Sequence, residues 1–261
     1  MRYALALEYD GAAFCGFQSQ PSRCSIQDAL EDALAAIADG PVRVHAAGRT
    51  DAGVHATSQV IHFDTDAARP LTAWVRGVNS GLPAAIAVLW CAVVPADFHA
   101  RYSATARHYT YLLVNRPERP GIEHGRVGWY PLPLAVDAMR DAARRLEGTH
   151  DFSSFRAAEC QARTPVRTLT RVAVGVDGER IRLEFSANAF LQHMVRNMVG
   201  ALVAIGAGKR TPAWIDALFA VADRTQGAAT FDAAGLYFTG VDYDAAFGLP
   251  STRRAVAPSR A

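Results

Sequence analysis

Residues Arg2 to Asp10 place Tyr3, Leu5, Leu7 and Tyr9 on one face at a period of two, and Gly11 ends the run, which predicts an opening strand. Ser25-Ile-Gln-Asp28 then has the form of a capping box with Asp in the usual Glu position. Ile26, Leu30, Ala33, Leu34 and Ile37 recur at helical spacing until Gly40-Pro41 stops them, so an amphipathic helix follows. Short strand-like runs at Val42–His45 and Gln59–Asp64, a helical stretch opened by proline at Pro70–Asn79, and the apolar run Ala84–Val94 complete the first half.

The second half repeats this mixture. Alternation over Arg107–Asn115 predicts a strand, and Arg116–Pro133 is a loop rich in proline and glycine. A helix at Leu134–Leu146, a hairpin pairing Thr168–Val176 with Arg180–Ala187 across Asp177-Gly178, and a long helix at Ala189–Ile205 come next. Thr211-Pro212 opens a last helix to about Val221, and Leu236–Asp242 closes with a strand. The prediction is an α+β fold of two similar halves, 1–105 and 106–248, whose helices flank a mixed, largely antiparallel sheet with a central cleft. The soft boundary lies near Ser103–Ala106, and the polar, aperiodic stretch at 249–261 reads as a disordered tail.

The chain's 261 residues, half of them hydrophobic and a fifth charged, suffice for one large or two medium domains with a real core and exclude general disorder. No run approaches the eighteen or so apolar residues that span a bilayer, and the opening MRYALALEYDG turns acidic too early for a secretory signal, so a cytoplasmic protein without a membrane partner is expected. Cys15, Cys24, Cys91 and Cys160 form no C-x-x-C pair and are expected as reduced thiols. The net charge of +2 says little about partners, and 26 of the 27 basic residues are arginine, a bias compatible with phosphate recognition that a GC-rich genome would also produce. From Ser153 to Arg182 six arginines face three acids, which suits a binding face and a solvated surface equally well.

Chemistry concentrates in Ala46–Ala56, AAGRTDAGVHA, where Gly48, Arg49, Thr50, Asp51, Gly53 and His55 fall between two strand-like runs. Glycines permit tight turns and close approach by a ligand. An Asp between an Arg two residues before it and a His four after can present an ionised carboxylate as nucleophile or base. The bland alternative is a local Asx-turn between two glycines. A metal-dependent hydrolase using His45, Asp51, His55 and His62 is a further reading, but the sequence has no H-E-x-x-H and no deaminase-type H-x-E with P-C-x-x-C. Walker A and G-x-G-x-x-G phosphate loops are absent too, so nucleotide cofactors are not implied.

The segment resembles the GRTDxGVHA box of the TruA family of pseudouridine synthases. Ala104–Tyr111, ATARHYTY, is similar to that family's second motif, and Ser186–Gly200, SANAFLQHMVRNMVG, to its third, in the same order. With EYDGAAFCGFQSQP near the start and AAGLYF near the end, the resemblance runs from about Tyr3 to Phe247. It implies an enzyme that isomerises uridine to pseudouridine at positions 38, 39 and 40 of the tRNA anticodon stem-loop, needing no cofactor and no metal, as a homodimer across which tRNA lies. Its implied catalytic residue is Asp51, with Arg196 as the salt-bridge partner that keeps it ionised and oriented. Tyr109 would stack on the flipped uracil, Arg49 would fill the space the base leaves, and Leu236 would line the uracil pocket.

Each role has a plainer reading beside it. Arg49 could pair locally with Asp51, and Arg196 could satisfy buried carbonyls. Tyr109 and Leu236 could simply be core, Tyr111 lies on the same strand face as Tyr109, and His55 could contact RNA or bond within its loop. A non-catalytic tRNA-binding or folding module is the functional alternative, and an intact Asp51 argues against it.

Overall fold

The computed structural model describes residues 1–256. In chain order its main elements are β1 (Arg2–Tyr9), α1 (Ile26–Ala38), β2 (Val44–Ala46), β3 (His55–Asp64), α2 (Val78–Gly81), β4 (Ile86–Val94), β5 (Ala104–Asn115), β6 (Gly128–Tyr130), α3 (Val136–Leu146), β7 (Gly148–Asp151), β8 (Val166–Asp177), β9 (Arg180–Ala187), α4 (Met194–Gly206), α5 (Trp214–Val221) and β10 (Leu236–Tyr243). The chain divides into two units, one holding Met1–Arg107 and everything from Tyr237 onward, the other holding His108–Leu236.

In the first unit the sheet runs β4-β1-β3-β10, with β2 paired to β3. β1 is antiparallel to both neighbours, while β10 joins β3 in parallel through Tyr237 opposite His55 and Phe238 opposite Ala56. Because β1 is flanked on both edges, Ala4 to Leu7 are fully buried whichever face they point to. Trp74, in a π-helical turn at Ala73–Gly77 before α2, closes the core against Tyr3 and Phe63, with ring centroids 5.3 and 5.2 Å away. At α1 the expected capping box forms: Ser25 Oγ accepts from the Asp28 amide at 3.1 Å, and the Asp28 carboxylate accepts from the Ser25 amide at 3.3 Å.

The second unit has strand order β5-β9-β8-β7, with β6 parallel to β5 and the β8–β9 hairpin antiparallel. The helix α3 packs against β8, α4 and α5, burying Met139, Ala142 and Leu146. Each unit thus carries helices against a mixed sheet, as the α+β reading expects.

Several expectations need correction. The last strand, assigned from sequence to the second half, hydrogen-bonds to β3 in the first unit. Part of the supposed tail is ordered: the Thr252 carbonyl accepts from Ser58 Oγ and the Val241 amide, the Arg254 amide donates to Thr239, and its guanidinium pairs with Glu8 at 2.6 Å. Residues 257–261 lie outside the described residues. Cys15 and Cys24 are joined by a disulfide rather than standing as two thiols, because the loop between β1 and α1 doubles back and brings their Cα atoms to 5.6 Å, within bridging range. Cys91 and Cys160 are free thiols, and burial pushes the Cys91 thiol up to about 12. The long helix starts at Met194 instead of Ala189, since His193 holds a left-handed φ of 60° that a helix cannot continue through.

Candidate active site

The Asp51 loop is pinned from below, residue by residue. Its entry is fixed by the Ala47 amide donating to Val60 at 2.8 Å, and Gln59 Nε2 donates to the Gly48 carbonyl at 2.7 Å. The Thr50 hydroxyl lies 2.8 Å from the Tyr9 hydroxyl, and the Thr50 carbonyl accepts from the Phe17 amide at 3.0 Å. Tyr9, Thr50 and Gln59 are all buried, so breaking any of these bonds would strand a polar group away from water. That burial pushes the Tyr9 hydroxyl up to about 12, which keeps its proton in place at neutral pH.

Beyond Thr50 the chain turns back at once. The Val54 amide donates to the Asp51 carbonyl at 3.2 Å, and Gly53 takes a φ of 77°, the positive value the third residue of a type II turn requires. Gly16 packs against the other side with a φ of 99°, and a Cβ there would come within 3.0 Å of the Thr50 carbonyl. Asp51 therefore sits at the corner of a turn held from two sides, half-buried at the edge of the unit. A carboxylate so held has little conformational freedom left to lose on meeting a ligand.

The neighbours in this unit separate by role. Arg49 is exposed and has no carboxylate within ion-pair distance among the described residues, so the local pair with Asp51 is not what its guanidinium does. His55 is buried, its Nδ1 accepts from the Gly11 amide at 3.1 Å and lies 3.1 Å from Asp10 Oδ1, and its ring stacks on Tyr237. It belongs to the loop's support. His45 and His62 stack on each other 4.9 Å apart, and His62 Nδ1 accepts from the Ala100 amide. Among the described residues no three His, Cys, Asp or Glu side chains stand together as a metal-ligand set, so the four-residue set of the hydrolase reading does not assemble.

In the second unit Tyr109 lies on β5, 9% exposed, with its ring edge-on to Phe190 at 5.0 Å. Tyr111 differs sharply: it is fully buried, its hydroxyl donates to the Asp232 carbonyl at 2.9 Å, and its ring packs on Phe231. Both tyrosines are buried, Tyr111 the more completely. On α4, Arg196 is half-buried, and its Nε donates to the Phe231 carbonyl at 2.9 Å while the Phe231 amide donates back to the Arg196 carbonyl. The plainer reading of Arg196 holds for Nε. Phe231 leads into the segment that ends at Leu236, 4% exposed at the start of β10, so Arg196 and Leu236 are tied by one short stretch of chain.

Tyr9, Phe17, Gln59 and Gly16 escaped sequence reasoning. Tyr9, Gly16 and Phe17 fall in the EYDGAAFCGFQSQP stretch and Gln59 in a predicted strand, but nothing in the residues alone tied them to the loop; the pairing of β1 with β3 and the turn after β1 bring them beneath it.

Comparison with known proteins shows what this arrangement belongs to. A family model described as tRNA pseudouridine synthase matches residues 5–103 and 142–244, one stretch in each sequence half. The chain belongs to this tRNA pseudouridine synthase family. It is 56% identical over 252 residues to the tRNA pseudouridine synthase A of Thiobacillus denitrificans, covering 97% of each chain. It is also 55% identical over 254 residues to the protein of that name from Methylobacillus flagellatus, again covering 97% of each. A solved Cbf5-Nop10-Gar1 complex overlaps far more loosely, with a TM-score of 0.36 and 10% identity over 90% of this chain and 48% of that one.

Proposed function

We propose that this protein isomerises uridine to pseudouridine at positions 38, 39 and 40 of the tRNA anticodon stem-loop, with Asp51 as the essential carboxylate. The observation that carries this reading is end-to-end similarity at 56% identity to a tRNA pseudouridine synthase A, together with an Asp51 loop braced by buried hydrogen bonds.

The reaction breaks the N1–C1′ bond, turns the freed uracil, and forms a C5–C1′ bond. The C5 proton leaves, N1 gains a proton, and the atoms balance without oxidant or cofactor. Asp51 starts it by attacking C6 of the base or C1′ of the ribose, or by stabilising an oxocarbenium-like state that loses a 2′ proton. Extruding a nucleotide from a stem costs a few kcal/mol. Arg49, exposed and without an acidic partner among the described residues, offsets that by occupying the vacated space and contacting phosphate. Tyr109 stacks on the flipped uracil, Leu236 lines its pocket, and Arg196 orients the Asp51 carboxylate as its salt-bridge partner.

The protein acts in the cytoplasm as a homodimer whose two copies share the tRNA, which enlarges the basic surface that a monomer of net charge +2 offers. None of the helices among the described residues is long and apolar enough to cross a membrane. Affinity for tRNA falls as salt rises, because phosphate contacts release counterions.

The test is tritium release from tRNA labelled at C5 of uridine, comparing wild type with Asp51→Asn. Release by wild type alone supports the reading. Equal release by Asp51→Asn removes Asp51 from its role, and binding of tRNA without release by either would favour a non-catalytic RNA-binding module.

A further inference from the structure

Between β4 and β5 the chain makes a tight turn, His99–Ser103, that is unusually well fastened. The His99 amide donates to Ser103 Oγ at 2.9 Å and the Ser103 amide returns to the His99 carbonyl at 2.9 Å. His99 Nδ1 accepts from the amides of Arg101 and Tyr102 at 3.1 and 3.3 Å. Ala100 is held from both sides, its amide on His62 Nδ1 and its carbonyl on the Tyr243 hydroxyl. On this rigid base stands Tyr102, 77% exposed, its ring 4.3 Å from that of His99. Arg101 beside it is exposed, reaches over the Tyr102 ring at 5.7 Å, and has no carboxylate partner among the described residues.

A single exposed aromatic means little on a protein surface. Here three observations coincide: a fixed backbone, an open ring and an unpaired guanidinium beside it. The turn is also joined to the Asp51 loop. Arg107 Nη2 donates to both the Arg101 carbonyl and the Ala47 carbonyl, so one nitrogen clamps the turn carrying Tyr102 to the entry of the loop carrying Arg49 and Asp51.

We propose that Tyr102 and Arg101 form an accessory RNA contact, in which the Tyr102 ring stacks on an unpaired nucleobase of the substrate and Arg101 binds the phosphate next to it. The inference rests on the tRNA reading above and adds to it a site outside the catalytic residues. An open aromatic face accepts any base, and the adjacent cation follows the backbone, the combination that suits single-stranded nucleic acid. Positions 38 to 40 adjoin the anticodon loop, whose unpaired bases are the available partners. A fixed turn means the ring loses little freedom on binding, so stacking shows up as affinity. The Arg107 clamp makes the contact a ruler: the stacked base is set at a constant offset from the Asp51 loop.

The experiment uses the full-length protein with a fluorescent anticodon stem-loop RNA. Kd comes from anisotropy, and kcat and KM from tritium release, for wild type, Tyr102→Ala, Tyr102→Phe and Arg101→Ala. Tyr102→Ala should raise Kd and KM about tenfold, with the loss falling there rather than on kcat, and Tyr102→Phe should restore affinity because it keeps the ring. Arg101→Ala should lower the slope of log affinity against log salt by about one. Unchanged Kd in Tyr102→Ala overturns the proposal, as does equal loss in the Ala and Phe variants. Because Kd is read without turnover, the two readings fail separately. Weaker binding by Tyr102→Ala to an enzyme that releases no tritium supports the contact and sinks the catalytic reading, whereas a wild type that does not bind the RNA sinks both.

Discussion

The Tyr9 and Thr50 hydroxyls lie 2.8 Å apart in a buried contact one residue before Asp51. Together with Gln59 on the Gly48 carbonyl, this contact sets the loop's height above the β1–β3 pair.

Replacing Tyr9 by Phe leaves the packing but strands the Thr50 hydroxyl. The expected cost is about 1–2 kcal/mol of stability. If the loop shifts by a comparable energy in the transition state, kcat falls about tenfold. Urea unfolding and tritium-release kinetics on the one variant measure both, and wild-type kcat with lowered stability would limit Tyr9 to the fold.

Gly16→Ala puts a methyl 3.0 Å from the Thr50 carbonyl at a φ of 99°. Both effects push against the Asp51 loop. Destabilisation of about 1–3 kcal/mol is expected from the backbone conformation alone, and kcat should drop more than KM rises. Activity equal to wild type would show that the loop gives way without consequence.

Arg196→Lys keeps the charge and loses the Nε–H that meets Phe231. Misplacing a reacting group by about an ångström costs on the order of 10²-fold in rate, so kcat should fall that far with RNA affinity little changed. A variant with full turnover would show that Arg196 does not position the carboxylate.

His62 gives the fold a pH dependence. Burial, followed by the neighbouring His99, His45 and Arg2, lowers its pKa to about 4, against a smaller opposing effect of Asp64. A group whose folded value is depressed below its unfolded one near 6.5 favours the folded state while it is neutral. Stability is therefore full above pH 6.5 and is lost as pH falls from there toward 4, where the ring gains a proton and the Ala100 amide loses its acceptor. The urea midpoint of wild type should decline over that window, and His62→Gln should flatten the decline. A parallel decline in both proteins would assign the effect elsewhere.

Much of this was legible in the residues. The capping box at Ser25 and Asp28 and the β8–β9 hairpin follow from local rules, and the loop between two strands showed itself by its glycines and charges. What stayed hidden depends on partners distant in sequence. β3 starts at His55 rather than Gln59 because its first residues are polar yet buried, their side chains bonded to Gly11 and Thr252. β7 is a short, mostly exposed strand of Gly-Thr-His-Asp, which no alternation of apolar residues could reveal. Tyr109 and Tyr111 share a face in sequence and both are buried, and alternation alone could not show that the Tyr111 hydroxyl donates to the distant Asp232 carbonyl. The Cys15–Cys24 bond has a nine-residue separation that matches no motif and becomes evident only when the loop closes.

The return of β10 to the first unit reaches beyond the finished molecule. As the chain leaves the ribosome, residues 1–107 appear long before Tyr237 and Phe238, and until these arrive β3 carries an unpaired edge at His55 and Ala56. That edge is the ribbon leading out of the Asp51 loop, so the nascent protein spends most of its synthesis with this loop next to an open template for stray strands. Completion of the Asp51 loop's scaffold is thereby delayed to nearly the last moment of translation, and a polypeptide truncated before Leu236 would lack the strand that closes it.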